Sequence, residues 1–259
     1  MTNEQLAHGV GPDRIDLAHE RRGDPADPPV LLIMGIAAQM VNWPEGLLDA
    51  LVARRLHVVR FDNRDSGHST HLVDAPPADL PSALAGDLSS AAYTLSDMAA
   101  DTVGLMDALG LTAAHLVGAS MGGAIAQTVA LEHPDRVCSL TSMMSTTGAL
   151  DVGQIHPETM KAVFGGPRVT TREGAVERAV RAAAAIGSPG WPADPEVVAA
   201  TAGLAWERDH DEASIARQAV ATVASGDRTA ALRELRVPTL VIHGDSDRMC
   251  HSERSPRPP

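Results

Sequence analysis

The segment most suggestive of chemistry is Gly118-Ala119-Ser120-Met121-Gly122, a serine set among small residues. An apolar run leads into the segment and a small-residue helical pattern follows it, which predicts a strand, a tight turn and a helix with Ser120 at the apex. Small residues two before and two after the serine leave room for the turn, which would lift the hydroxyl into a cleft. The motif also occurs in ordinary strand–helix turns, so its context decides the interpretation.

A nucleophilic serine needs a base to take its proton and N–H donors for the oxyanion that forms on the substrate. The N–H of Met121, at the start of the predicted helix, is one candidate donor. The N–H of Ile36 is the second, because Gly35 lets the backbone approach the site closely. In parallel sheets such groups gather at the carboxyl ends of the strands. We therefore expect Ser120, Ile36 and Asp247 to share one edge of a sheet.

Asp247 is the candidate acid that would hold a base in the correct tautomer. Asp245, two residues closer to the preceding strand, is the competitor, and we expect it to bond the loop backbone instead. The histidines and the two cysteines, Cys138 and Cys250, show no metal-ligand spacing. The sequence therefore predicts no metal and no cofactor.

The composition limits the class of partner. The 259 residues are 44% hydrophobic and carry a net charge of −12, which argues against nucleic acid or an anionic membrane surface as a partner. The N-terminal residues show no signal-peptide pattern, and no apolar run reaches membrane-spanning length. With two cysteines and no disulfide framework, we expect a cytoplasmic protein.

Strand and helix patterns alternate between residues 30 and 143, which predicts an α/β fold with a doubly wound, mostly parallel sheet. Residues 147–227 are helical where the pattern is legible and contain no buried-strand run, so we interpret them as a helical cap. The core would then be residues 1–146 and 228–250, and residues 251–259 have the composition of a disordered tail. The predicted strands of this sheet are Val30–Met34, His57–Phe61, Ala114–Val117, Val137–Met143 and Val237–His243.

Over residues 25 to 250 the sequence resembles the α/β-hydrolase family, on the branch of the aclacinomycin methylesterase-like carboxylesterases. The resemblance is carried by residues 30–36, 118–122 and 237–247 and by the loop Asp62-Asn-Arg-Asp-Ser-Gly-His-Ser69. It implies a serine hydrolase that cleaves carboxylic esters of small molecules through an acyl-enzyme. By the same resemblance Ser120 is the nucleophile, Asp247 the triad acid, and Ile36 and Met121 the oxyanion-hole positions. Residues 147–227 would be the cap that shapes substrate choice.

The sequence departs from that family after the acid. The family continues with a helix, a last strand and then the catalytic histidine, whereas twelve residues follow Asp247 here. We interpret this as truncation or a frameshift, with the last strand and helix missing. His251 is too close to Asp247 to serve as the base, and His243 precedes the acid. His68 is the nearest substitute, although a loop-bonding role suits it better.

Two alternatives remain open at this point. A chain without its base would bind ligand under the cap without turnover. The same fold also supports C–C bond hydrolysis and cofactor-free peroxidation. Epoxide and haloalkane hydrolysis are disfavoured, because those relatives carry aspartate where this chain has Ser120. A strand over 237–243 without a neighbour would expose apolar surface, so we also expect self-association.

Overall fold

The computed structural model describes residues 3–149, 151–153, 155–166 and 169–250. Seven strands form one sheet in the order β1-β2-β4-β3-β5-β6-β7. Five neighbouring strands, β4, β3, β5, β6 and β7, pair in parallel. At the β4 edge, β2 pairs antiparallel with β4, and β1 pairs antiparallel with β2. The predicted α/β class and mostly parallel sheet are confirmed. The strands are β1 (Gln5–Val10), β2 (Ile15–Arg22), β3 (Pro29–Ile33), β4 (His57–Phe61), β5 (Ala114–Ala119), β6 (Val137–Met143) and β7 (Thr239–Ile242).

The central strands are the short apolar runs of the sequence, and their burial explains why they are apolar throughout. Every residue of β4 is buried, and so are the last four residues of β3. A strand with helices on both faces has no solvent side, so it shows no polar alternation. These strands form the platform at whose carboxyl ends the candidate residues lie.

Nine α-helices occur in the described residues: α1 (Glu45–Val52), α2 (Leu80–Leu84), α3 (Leu95–Ala108), α4 (Met121–Glu132), α5 (Pro157–Phe164), α6 (Arg172–Ile186), α7 (Pro195–Arg208), α8 (Glu212–Ala224) and α9 (Thr229–Arg233). The central helix, α4, has ten of its twelve residues buried. Its glycines and alanines are small enough for the sheet and the other helices to pack closely around it.

The sequence pattern predicts Ser96 as the N-cap of α3, and this prediction is wrong by two residues. Thr94, and not Ser96, caps the helix, since its side chain and that of Asp97 satisfy each other's backbone N–H groups in a capping box. Ser96 lies inside the first turn and donates its hydroxyl to Glu132, 2.6 Å away. Thr94 and Ser96 are both residue types that commonly cap helices, so residue type alone does not distinguish between them.

The stretch between β6 and α9 contains α5, α6, α7 and α8, and no strand is found in its described part. The cap boundary at residues 147–227 itself stays a prediction. The predicted disordered tail, residues 251–259, lies outside the described residues. Among the helices that are described, none is both long enough and apolar enough to cross a bilayer.

Strand β7 forms one edge of the sheet, and all four of its residues are exposed. Leu240, Val241 and Ile242 are 55%, 66% and 47% exposed, respectively. The strand carries no charged residue and no proline, the features by which edge strands usually resist pairing with another chain. Its apolar side chains and its unpaired backbone groups therefore form a surface suited to association.

We predict that this edge makes the 259-residue chain self-associate at micromolar concentrations. The substitution Val241→Lys should shift the population towards monomer in sedimentation velocity. Association would bury the lysine side chain at the interface, which opposes strand pairing. Val73→Lys is the matched control, since Val73 is 73% exposed in a loop. Monomeric wild-type protein, or equal effects of the two variants, would contradict the prediction.

Candidate active site

Ser120 lies at the turn between β5 and α4 in a backbone conformation that L-residues rarely adopt, with φ of 55° and ψ of −122°. It is exposed, whereas its neighbours Ala119 and Met121 are buried. Its N–H donates to the carbonyl of Met143 on β6, 2.9 Å away, and its carbonyl accepts the N–H of Gly123 at 2.9 Å. The neighbouring strand and the first turn of the helix thus fix the backbone and leave the hydroxyl outside.

The glycines around Ser120 are required by contacts between backbone segments. A Cβ on Gly118 would lie 2.1 Å from the carbonyl oxygen of Gly122. A Cβ on Gly122 would lie 2.0 Å from the carbonyl oxygen of Ile33, at the end of β3. Both distances are far below any real contact between such atoms, and neither carbonyl can move without distorting its strand or helix. The small residues predicted to make the turn are therefore the ones that the packing demands.

The loop after β3 reaches Ser120 through Gly35. A Cβ on Gly35 would lie 3.0 Å from the Cβ of Ser120 and 3.1 Å from the carbonyl oxygen of Ala119. Ile36 follows directly, so its backbone is adjacent to the serine. Met121 is the first residue of α4, where helix geometry leaves the N–H without an intrahelical partner. Both candidate donors therefore belong to segments that border Ser120.

The sheet register brings the candidate residues to one edge. Ile33 pairs with Gly118, and Met143 pairs with both Ala119 and Ile242. The residues that follow β3, β5 and β7 consequently leave the sheet at one level. Adjacent strands lie about 4.8 Å apart, so Ser120 and the end of β7 are separated by roughly two such spacings. The common edge expected from the alternation of strands and helices is confirmed.

Asp247 lies in the loop after β7 with both carboxylate oxygens engaged. Its Oδ1 accepts the N–H groups of Met249 and Cys250 at 2.8 and 2.9 Å. Its Oδ2 lies 3.4 Å from Nε2 of His243. Asp245 is exposed, and its carboxylate lies 3.3 Å from the Ser246 hydroxyl. Asp247, and not Asp245, thus bonds the loop backbone, so our expectation about Asp245 is wrong, while Asp247 is the carboxylate that faces a histidine.

Within the described residues, no histidine is hydrogen-bonded to the hydroxyl of Ser120. His68 lies with its Nδ1 2.6 Å from Glu4, which agrees with a loop-bonding role. The Nε2 of His243 lies 2.5 Å from the carbonyl oxygen of Cys250. His251 lies outside the described residues. The structure therefore places Ser120, the backbone of Ile36 and Met121, and Asp247 at one edge of the sheet, and leaves the base unassigned.

The remaining reactive groups do not compete with Ser120. Burial raises the pKa of the Cys250 thiol to about 11, so this thiol stays protonated near neutral pH. In the described part of the chain, no group of three or more histidine, cysteine or acidic side chains is arranged to hold a metal ion. The hydroxyl of Ser120 is therefore the candidate nucleophile at this edge.

Sequence reasoning missed the polar residues that join the helices after β6 to the loops of the sheet. Asp62 is buried, accepts the N–H of Met40 at 2.7 Å and pairs with Arg208 at the end of α7. Asp65 pairs with Arg217 of α8 at 2.7 and 2.8 Å. A signal did exist, since residues 214, 217, 218 and 221 recur at helical spacing on the buried face of α8. Three of these four are polar, which predicts polar partners on the facing loop.

The ion pairs around Arg208 shift the pKa values of the groups that form them. Although burial opposes ionisation, hydrogen bonds from Arg208 and His68 hold the pKa of Glu4 below its usual value. Despite its own burial, the pKa of Arg208 is raised by the charge of Asp62 and by the hydrogen bond to Glu4. The cation is therefore retained, and it ties α7 to the N-terminal segment and to the loop after β4.

A cavity of about 350 Å³ lies between these helices and the loop that contains Ile36. Ala37, Gln39 and Ser66 contribute to its wall from the loops of the sheet. Ala179 of α6 and Trp206 of α7 contribute from the opposite side. Ala37, which directly follows Ile36, belongs to the cavity wall, whereas Ser120, Met121 and Asp247 are not among the lining residues.

Comparison with known proteins agrees with this architecture. Rhodomycin D methylesterase DnrP of Streptomyces peucetius is 35% identical over 158 residues, which are 61% of this chain and 47% of that protein. The chain thus spans about half the length of the curated relatives that it matches.

Solved structures show the same fold over nearly the whole chain. A hydrolase from Pseudomonas aeruginosa PA01 has 24% identity and a TM-score of 0.66, covering 96% of this chain and 83% of that one. The enol-lactonase from Burkholderia xenovorans LB400 has 22% identity and a TM-score of 0.65, covering 93% and 81%. At these identities the likeness concerns the fold alone.

The family model described as alpha/beta hydrolase fold matches residues 28–257, which include every parallel strand and the Ser120 turn. With a parallel sheet, a serine at the strand–helix turn and this match over most of the sequence, the chain belongs to the alpha/beta hydrolase fold family.

Proposed function

We propose that this chain is a serine hydrolase that cleaves carboxylic esters of small molecules through an acyl-enzyme. The observation that carries the proposal is the exposed Ser120 in a strained conformation at the head of α4, with the backbone of Gly35 packed against it. Strained backbone of this kind is retained where the surrounding packing enforces it, and it is concentrated at functional sites. The similarity to a protein named as a methylesterase supports ester substrates.

The proposed reaction has two halves. The Oγ of Ser120 attacks the ester carbonyl, its proton passes to a base, and the carbonyl oxygen becomes an oxyanion that accepts the N–H groups of Ile36 and Met121. The C–O bond to the alcohol then breaks, and the alcohol leaves with the proton. Water attacks the acyl-enzyme in the same manner, releases the carboxylic acid and restores the serine. One oxyanion donor contributes about 3 kcal/mol to such a transition state.

We propose that the substrate occupies the cavity of about 350 Å³ beside Ala37. The alanines of α6 and α7 leave space between these helices and the loops of the sheet. The Trp206 ring, which is stacked with His210 at a centroid distance of 4.4 Å, also lines the cavity. Cavities of this volume hold compact organic molecules. Because Ala37 in the cavity wall adjoins Ile36, we propose that the ester carbonyl binds at this end of the cavity.

The alternative function is ligand binding without turnover. It is favoured by one observation, that no histidine of the described residues is hydrogen-bonded to Ser120. A serine without a base retains a small part of the rate through the oxyanion donors and binding alone. A binder and a hydrolase on this chain therefore differ in how far the rate depends on Ser120.

We predict that purified protein hydrolyses a nitrophenyl ester of a short carboxylic acid and that Ser120→Ala lowers kcat by about 10³-fold or more, since the nucleophile is removed. Release of nitrophenolate measures both rates. Ser139→Ala is the control, because Ser139 lies on β6 and its hydroxyl is 2.7 Å from Nδ1 of His115. Equal turnover by wild type and Ser120→Ala would reject the hydrolase and leave the binder.

A second prediction separates the two aspartates. Asp247→Asn should lower kcat by about 10²-fold or more, because an amide cannot stabilise the charge of a protonated base. The Asn oxygen can still accept the N–H groups of Met249 and Cys250, so the loop is retained. Asp245→Asn should leave kcat within about two-fold. A larger loss of kcat in Asp245→Asn than in Asp247→Asn would contradict the assignment and indicate that Asp245 is the acid.

A further inference from the structure

Gln218 on α8 joins the helix to two loops at the edge of the sheet. Its side chain is fully buried, with 0% exposed. Its Oε1 accepts the N–H of Ala37 at 3.1 Å. Its Nε2 donates to the carbonyl oxygen of Arg64 at 3.0 Å. One amide thus connects the loop after β3, through its oxygen, to the loop after β4, through its nitrogen.

The backbone of Ala37 is strained, so the hydrogen bond from its N–H to Gln218 helps to hold its conformation. Its φ of 59° lies in the left-handed region, which an alanine seldom adopts. Within the same turn, Ala38 donates its N–H to the carbonyl of Gly35 at 3.3 Å, and its carbonyl accepts the hydroxyl of Ser66 at 3.0 Å. The peptide units around Ile36 are therefore set between Gly35, which packs on Ser120, and Ala37, which Gln218 holds.

We infer that Gln218 is a positioning residue that orients the N–H of Ile36 towards the oxyanion. This inference rests on the proposed function. It assigns to α8 a role in the rate of the reaction, in addition to packing over the sheet. Gln218 does not touch the reacting atoms; it acts through Ala37, so its loss weakens stabilisation of the transition state more than substrate binding.

The first test compares Gln218→Met with Ser225→Ala. Methionine keeps the length of the side chain and removes its hydrogen bonds to Ala37, Arg64 and Asp65. Ser225, at the C-terminal end of α8, accepts the N–H of Leu95 at 2.8 Å and donates to Ala221, so its loss also weakens the attachment of α8. We expect Gln218→Met to lower kcat by about 10-fold or more with KM changed by less than about 3-fold. Ser225→Ala should retain kcat.

The second test uses Gln218→Glu and the pH profile. A neutral glutamic acid can donate to the carbonyl of Arg64 and accept from Ala37, whereas its carboxylate offers no donor to Arg64. The ratio of the variant's kcat to that of the wild type should therefore be highest where the carboxyl is protonated and fall by about 10-fold as pH rises through its titration, since burial raises a carboxyl pKa. A ratio independent of pH would contradict the inference.

Hydrogen exchange tests the contact without turnover. In peptides that contain the Ala37 amide, Gln218→Met should exchange about 10-fold faster than the wild type, and Ser225→Ala should exchange at the wild-type rate. Unchanged exchange, or unchanged kcat in an active Gln218→Met, overturns the positioning role. A wild type without ester turnover, with faster exchange in Gln218→Met alone, rejects the proposed function while the contact to the loop stands.

Discussion

The contact between the start of α4 and the end of β3 is the constraint on which the rest of the site depends. At Gly122 the helix backbone approaches the carbonyl of Ile33 so closely that a single methyl group would collide at 2.0 Å. This approach aims the first turn of α4 at the edge of the sheet and forces Ser120 into its outward conformation. It also brings Gly35, two residues beyond Ile33, against the serine. The candidate nucleophile and the candidate donors are thus positioned by one packing contact.

The features that could be predicted from the sequence are those in which packing determines the residue types of a short segment. Apolar runs marked the buried strands, and small residues marked the turn at Ser120. The N-terminal strand was missed for a physical reason. In Gln5–Val10 only Ala7 and Val10 are buried, because the register with β2 shifts between these two residues. The expected two-residue alternation is therefore absent, and the segment resembles a polar tail.

The anchors between the loops and the helices could not be predicted in the same way. Gln218 and Ala37 are 181 residues apart in sequence, and Arg217 and Asp65 are 152 apart. Helical spacing shows that these polar residues of α8 share a buried face, but it does not show which loop lies opposite. Choosing among the many acidic and amide partners requires the tertiary structure. The expectation that Asp245 bonds the loop backbone was wrong for a related reason. Asp247 and Asp245 are the same residue type, and only their contacts in the folded structure distinguish them.

Burying such groups is an expensive way to hold two layers together, because apolar side chains of the same size stabilise a core equally well or better. What a buried amide adds is direction. The bond from Gln218 fixes the orientation of one peptide unit at Ala37, whereas an apolar contact would fix only its distance. The same helix contributes Ile215 to the wall of the cavity. Through Gln218, α8 thus links one wall of the cavity to the peptide unit beside Ile36, the candidate oxyanion donor.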